Sequence, residues 1–318
     1  MGMTLSERIE RTRLACEHAL LDPGPLAVEH LLDSCGITAQ TRLDILRNVA
    51  KLHEATPKLL SIRDLVLSSG GAAAQQGILQ RTLLLRAALQ SLDQIPHLPV
   101  EDSVKHLFCK EYVFYANPPE GALAKFECNT HPFLTMVKLA LLTRFPAGQQ
   151  QWEISGLPRS WLPRLRLGHA LKALSYFATK ARAFHPYFVP HLAVSSTTVA
   201  FMAEREFMKS FYRMAASLEN QPAIRGIMAF SWLHSRETHR VSPHLAFLNR
   251  PFLESGGFYA DLGPAPENAG FLARDVNRAA LYRSGQYRPT LALITCTREQ
   301  ALAWRCSHLY LEEKCSVE

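Results

Sequence analysis

Acidic residues are absent from a 50-residue stretch of this 318-residue chain. Between Glu153 and Glu204 there is no Asp or Glu, whereas Arg159, Arg164, Arg166, Lys172, Lys180 and Arg182 add six positive charges, close to the whole formal net charge of +7. Long apolar runs are absent too: segment 134–142 is among the longest and is interrupted by Lys138, far short of the roughly 18 residues that cross a bilayer. A helical membrane span is thereby excluded. Glu7 and Glu10 fall where an export signal needs an unbroken apolar core, so the expected localisation is cytoplasmic. The seven cysteines (Cys16, Cys35, Cys109, Cys128, Cys296, Cys306 and Cys315) are odd in number, scattered, and without any C-x-x-C. That spacing argues against a disulfide framework and a thiolate zinc site, and for reduced thiols. No Walker A loop, G-x-G-x-x-G, G-x-S-x-G elbow or EF-hand occurs, which argues against kinase, dehydrogenase and serine-hydrolase chemistry.

What is present is an ordinary packed composition, 47% apolar and 20% charged, enough for a sizeable core. Thr4-Leu5-Ser6-Glu7 has capping-box spacing and opens a helix that Asp22-Pro23-Gly24-Pro25 ends. Further helices are expected over 26–34, 38–55, after Ser61, and over 72–92, where Ile78, Leu85, Leu89 and Leu92 share one face with Thr82 between them. Beyond Pro96 and Pro99 the pattern changes. Strand-like runs at 112–115, 123–127, 151–155, 187–194, 224–232, 257–262 and 290–295 alternate with helical ones at 132–144, 161–182, 198–218, 271–284 and 298–309. The last helix opens on a second capping box, Thr297-Arg298-Glu299-Gln300. The fold class read from this order is α/β (α+β): a mixed central sheet flanked by helices and preceded by an all-helical N-terminal region. The seam divides the chain into 1–98 and 99–318.

The acid-free stretch resolves into a helix, a strand and a turn. At 100° per residue, Leu167, Leu171, Leu174, Ala178 and Ala181 fall in one arc, with His169, Lys172 and Lys180 opposite and Arg166 on the flank, which predicts an amphipathic helix with a basic outer face. An anionic ligand, an acidic protein or nucleic acid would suit such a face. Nucleic acid ranks last, because no recognised binding motif accompanies the charges. Strand 187–194 then feeds Ser195-Ser196-Thr197-Thr198 and a long helix. Small polar residues at a helix entrance form a seat for an anion, since unpaired N–H groups and the helix dipole converge there.

This strand-turn-helix-strand order resembles the centre of the GNAT superfamily of N-acetyltransferases, and Leu248-Asn249-Arg250-Pro251-Phe252-Leu253-Glu254-Ser255-Gly256-Gly257-Phe258 resembles the helix ending in a Gly-Phe turn of that superfamily. The resemblance spans roughly residues 107–297. Ser195-Ser196-Thr197-Thr198 stands where the superfamily carries a glycine-rich pyrophosphate loop, a departure shared in character with acyl-homoserine lactone and N-acyl amino acid synthases. The resemblance implies a transferase that takes an acyl group from acyl-CoA or an acyl carrier protein thioester to a small amine. Val194, Ser195, Ser196, Thr197, Thr198, Arg166 and Lys172 would then receive the donor.

Candidate chemical groups follow from local composition. Glu127 and His131 lie four apart at a strand-to-helix junction, where a carboxylate or imidazole can act as general base. His191 interrupts an otherwise apolar strand and faces either the core or a cleft. His234, His239 and His244 recur at five-residue intervals around Glu237; a loop could gather them around a metal, although one helical face could not. Glu127, His131, His191 and His234 are the catalytic candidates of the acyl-transfer reading, which expects no metal. Two other readings stay open: a non-catalytic module docking an acidic protein or RNA through the basic helix, and a His-ligated metalloenzyme.

Overall fold

Thr4 opens the first helix in the way its spacing to Glu7 predicts. Glu7 N–H donates to Thr4 Oγ1 (3.2 Å) and Thr4 N–H donates back to Glu7 Oε2 (2.6 Å), so two otherwise orphaned donors are satisfied. The structure, a computed structural model, describes residues 3–20, 73–118, 131–156, 167–181, 186–193, 203–266 and 276–311. The helices expected over 26–34, 38–55 and after Ser61, and the strand over 123–127, lie outside the described residues.

The chain divides into two compact units, one of residues 1–154, 192–197 and 313–318, the other of 155–191 and 198–312. In the first, α1 (Leu5–Leu20), α2 (Ala73–Leu92) and α3 (Asp102–Ala116) pack together. Ile9, Thr12 and Cys16 form the inner stripe of α1. Among the described side chains of α2 the buried ones are Leu84, Leu85, Ala87, Ala88, Ser91 and Leu92; Leu85 and Leu92 of the expected stripe are among them, Leu89 is only half-buried, and the side chain of Ile78 lies outside the description.

Residues 112–115, expected as a strand, belong to α3. Their aromatic, β-branched composition favours a strand locally. The longer period wins, because Val104, Phe108, Tyr112 and Tyr115 fall on one face at helical spacing and are all fully buried. Glu101 caps the helix by accepting from Ser103 N–H (2.9 Å), and Tyr112 shares its hydroxyl with Ser91 Oγ (2.8 Å) and Leu139 O (3.2 Å). After α4 (His131–Ala140), a short strand β1 (Arg144–Pro146) pairs antiparallel with β2 (Gln150–Ser155) across a turn containing Gly148 at φ 109°. β1 is too short, and too marked by Arg and Pro, to stand out in the sequence. Phe145 and Trp152, cross-strand partners, stack at 5.2 Å.

In the second unit, α5 (Leu167–Tyr176) runs into a π-turn (Phe177–Ala181) and then β3 (Tyr187–Leu192). α6 (Glu204–Glu219) leads to β4 (Gly226–Ser231). The short helices α7 (Arg236–Val241) and α8 (Arg250–Glu254) precede β5 (Phe258–Pro264), and α9 (Val276–Arg283) precedes β6 (Thr290–Thr297) and α10 (Arg298–Ser307). The described strands form one mixed sheet in the order β1-β2-β3-β4-β6-β5 flanked by helices, as the alternation of patterns predicts. β3 and β4 are parallel, whereas β6 is antiparallel to β4 and β5.

Strand alternation sends Tyr187, Met228 and Leu293 to one face, where they pack with Ala173, Phe177 and Leu262. Elsewhere in the unit Phe211 of α6 meets Phe252 (5.0 Å) and Trp304 (4.9 Å) edge-on. The second capping box forms as expected at Thr297 and Gln300.

The expected inner face of α5 is reversed. Ala173 and Phe177 face the core, while Leu171 and Leu174 are 68% and 52% exposed. Periodicity selects the leucine arc, but the aromatic pair Tyr176 and Phe177, packed on Phe258 at 4.8 and 6.1 Å, carries more area than the leucines. Among the described residues no helix is long and apolar enough to cross a membrane.

Candidate functional site

The parallel pair is the starting point, because α/β sheets take ligands beyond the carboxyl ends of parallel strands, where the chain order reverses. β3 and β4 are bridged at Phe188↔Ile227, near their amino ends, and Arg225 N–H donates to Pro186 O at 2.9 Å just before them. His191 is the fifth of six residues of β3 and half-buried. Alternation puts it on the face of Tyr187 and Val189. On β4 that same face carries Met228 and then Phe230, 37% exposed.

The other expected site residues are placed as follows. Glu127, Val194, Ser195, Ser196, Thr197, Thr198 and Arg166 lie outside the described residues. His131 is the first residue of α4, and Lys172 lies within α5; the side chains of both are outside the description. α6, expected from Thr198, is described from Glu204, and its first turn carries Glu204 and Glu206. The acid-free stretch thus ends where carboxylates complement the positive end of a helix dipole. Glu204 pairs with Arg250, and Glu206 with Lys209 at 2.9 Å.

His234 ends the 3-10 turn Trp232–His234, which Ser231 caps by accepting from Leu233 N–H (3.2 Å). The imidazole is buried; its Nδ1–H donates to Asn249 Oδ1 (2.7 Å), and Asn249 Nδ2 donates to His234 O (3.0 Å). Burial pushes this ring down to about 4, against the hydrogen bond to Asn249, which raises it. His239, also lowered by burial, donates its Nε2–H to Leu233 O (2.8 Å).

The metal reading of His234, His239 and His244 is corrected. His244 is exposed, and among the described residues no three His, Cys, Asp or Glu gather in ligand geometry. Burial also pushes the Cys16 and Cys296 thiols up to about 12, so neither supplies a thiolate nucleophile.

A pH prediction arises here. The fold keeps His234 neutral down to about pH 4, while the unfolded chain protonates it near 6.5. Between those values unfolding takes up a proton, so stability falls as pH falls. About 3 kcal/mol should be lost between pH 7 and pH 4, with His239 adding in the same direction. Urea midpoints across that range check it; His234→Gln should flatten the slope, and an unchanged slope would refute the assignment.

A polar cluster that the sequence did not announce lies between β5, β6 and the start of α7. Thr290 Oγ1 donates to Asp261 Oδ1 (2.7 Å), and Tyr259 OH donates to the same oxygen (3.0 Å). The fully buried Ser235 hydroxyl meets Thr290 Oγ1 at 3.0 Å, and Arg236 N–H donates to Tyr259 OH (3.3 Å). Burial and then the Asp261 carboxylate push the Tyr259 phenol up, so it remains a donor. Tyr259 and Asp261, two apart on a strand, share a face that the pattern of 257–262 does reveal; Ser235 and Thr290 arrive only by folding.

Comparison with known proteins gives two structural neighbours. One is the crystal structure of an acyltransferase in complex with decanoyl-CoA, with a TM-score of 0.47 and 12% identity over 86% of this chain and 88% of that one. Another is an acyltransferase mutant in complex with octanoyl-CoA, with a TM-score of 0.44 and 11% identity over the same shares. No protein family and no curated protein matches the sequence.

Proposed function

We propose that this protein is an N-acyltransferase that moves an acyl group from a coenzyme A or carrier-protein thioester to a small amine. The observation that carries the reading is the parallel β3–β4 pair, joined through α6 and bridged near its amino end, with His191 at the carboxyl end. In this reading the amine nitrogen attacks the thioester carbonyl carbon, and His191 takes the amine proton as general base. The C–S bond breaks, and the thiolate leaves and is protonated. Residues 194–198, with Arg166 and Lys172, receive the donor's phosphates or pantetheine; Glu127 and His131 serve as further groups for proton transfer. The rate gain comes from positioning the amine and polarising the carbonyl.

Acyl-CoA, the ligand named for both neighbours, is the donor to try first. Purified protein, given acetyl-, medium- and long-chain acyl-CoA and a panel of amines, is expected to release free thiol only when an amine is present. His191→Gln should lower kcat by about 100-fold or more while donor-induced thermal stabilisation persists. Absence of both stabilisation and amine-dependent thiol release, with carrier-protein donors as well, overturns the reading.

A further inference from the structure

The cluster at Tyr259, Asp261 and Arg236 holds two opposite charges that do not neutralise each other. Asp261 accepts both of its hydrogen bonds, from Tyr259 and Thr290, on Oδ1. Because the Thr290 hydroxyl is spent on Asp261, the Ser235 hydroxyl donates to Thr290, and every proton in the chain points toward the carboxylate. That locks the rotamer of a half-buried acid and leaves Oδ2 as the acceptor on offer. A partly desolvated carboxylate in that position is stabilised by a cation.

The nearest cation on the same tyrosine does not serve it directly. The Arg236 guanidinium lies over the face of the Tyr259 ring, 5.0 Å from its centre, whereas Asp261 sits at the hydroxyl edge of the same ring. The cation–π contact holds the exposed guanidinium beside the ring, and its N–H fork suits a planar anion. Arg240, one turn along α7, is different: it is spent on Glu237 (2.9 Å) and Gln286 O (2.6 Å).

The backbone also departs from regularity here. The β5–β6 register runs Asp261↔Ala292 and then Pro264↔Thr290, so β5 carries one extra residue, with Gly263 at φ 95°. Such a bulge re-aims the adjacent side chains and is a common device at binding sites. It brings the Thr290 hydroxyl onto Asp261.

We infer that this cluster binds a zwitterion whose ammonium and carboxylate lie a few bonds apart, of the class of the α-amino acids, with the ammonium on Asp261 Oδ2 and the carboxylate on the Arg236 fork. The ligand's own dipole would run from the hydroxyl edge of the Tyr259 ring, where Asp261 lies, to the ring face that carries Arg236. The inference does not depend on acyl transfer, and its test contains no acyl donor.

The test is calorimetric titration of the full chain with free L-amino acids, each beside its carboxamide, which lacks the carboxylate, and its N-acetyl derivative, which lacks the ammonium. At least one free amino acid should bind at least ten-fold more tightly than either derivative. Arg236→Gln should abolish its advantage over the amide, Asp261→Asn its advantage over the N-acetyl form, and Arg240→Gln should change neither. No binding by any amino acid, or derivatives binding as well as the parent, overturns the inference. The derivative series on the unmodified protein decides the matter even where a variant fails to fold.

Discussion

Replacing Glu153 by alanine is expected to lower the stability of the first compact unit by about 3–5 kcal/mol. Glu153 pairs with Arg144 across the β1–β2 ladder and accepts from its Nε at 2.7 Å. It also receives Lys138 Nζ, at 2.9 Å on Oε1 and 3.1 Å on Oε2. The Arg144 side chain is only 4% exposed, and its Nη1 donates to Thr135 Oγ1 (3.0 Å). Without the carboxylate, a guanidinium withdrawn from water faces an ammonium with nothing to balance either. An exposed ion pair would cost below about 1 kcal/mol; burial makes the difference. Urea unfolding measures the loss. The double replacement Arg144→Met with Glu153→Leu should recover more than half of it, because an apolar pair removes the stranded charge together with its partner. A single-variant loss under about 1 kcal/mol would mean that solvent screens the pair.

The second large effect is expected at Gly226, the first residue of β4 and the partner of Thr297 on β6. A Cβ at this position would stand 2.0 Å from Cys296 O and 3.0 Å from the backbone of Thr297, at φ 156°. These are backbone atoms of the neighbouring strand, so no rotamer change relieves the overlap. Relief would require parting β4 from β6 where Arg298 N–H also donates to Arg225 O (2.7 Å). Gly226→Ala should therefore cost at least about 3 kcal/mol or prevent soluble accumulation. Gly156→Ala, where nothing lies within 4 Å of the added carbon, should stay within about 0.5 kcal/mol. Equal stability of the two variants, measured by thermal and urea unfolding, would refute the close-approach argument.

Local signals and folded positions agree where one period dominates. Strands β2 to β6 follow from short apolar runs bounded by turn residues, and both capping boxes form from spacing alone. Residues 112–115 mislead because four residues of strand-like composition are read without the 3.6-residue period on either side. β1 escapes notice because three residues carry too little pattern. At the site, His191 could be singled out as the polar interruption of an apolar strand. Its closeness to the carboxyl end of a parallel pair is a property of topology, which strand patterns do not encode.

The acid-free stretch draws the same line. Its charge, its helix, its strand and its end at Glu204 are written in the residue order, since composition and period are local quantities. Which side of α5 turns inward was decided by the sheet it meets, through the larger aromatic area of Tyr176 and Phe177. The joining of Ser235, Tyr259, Asp261 and Thr290 into one directed hydrogen-bond chain was likewise decided in three dimensions. Residues far apart in the chain meet only once β5 and β6 fix their register, and a hydrogen bond depends on that last ångström.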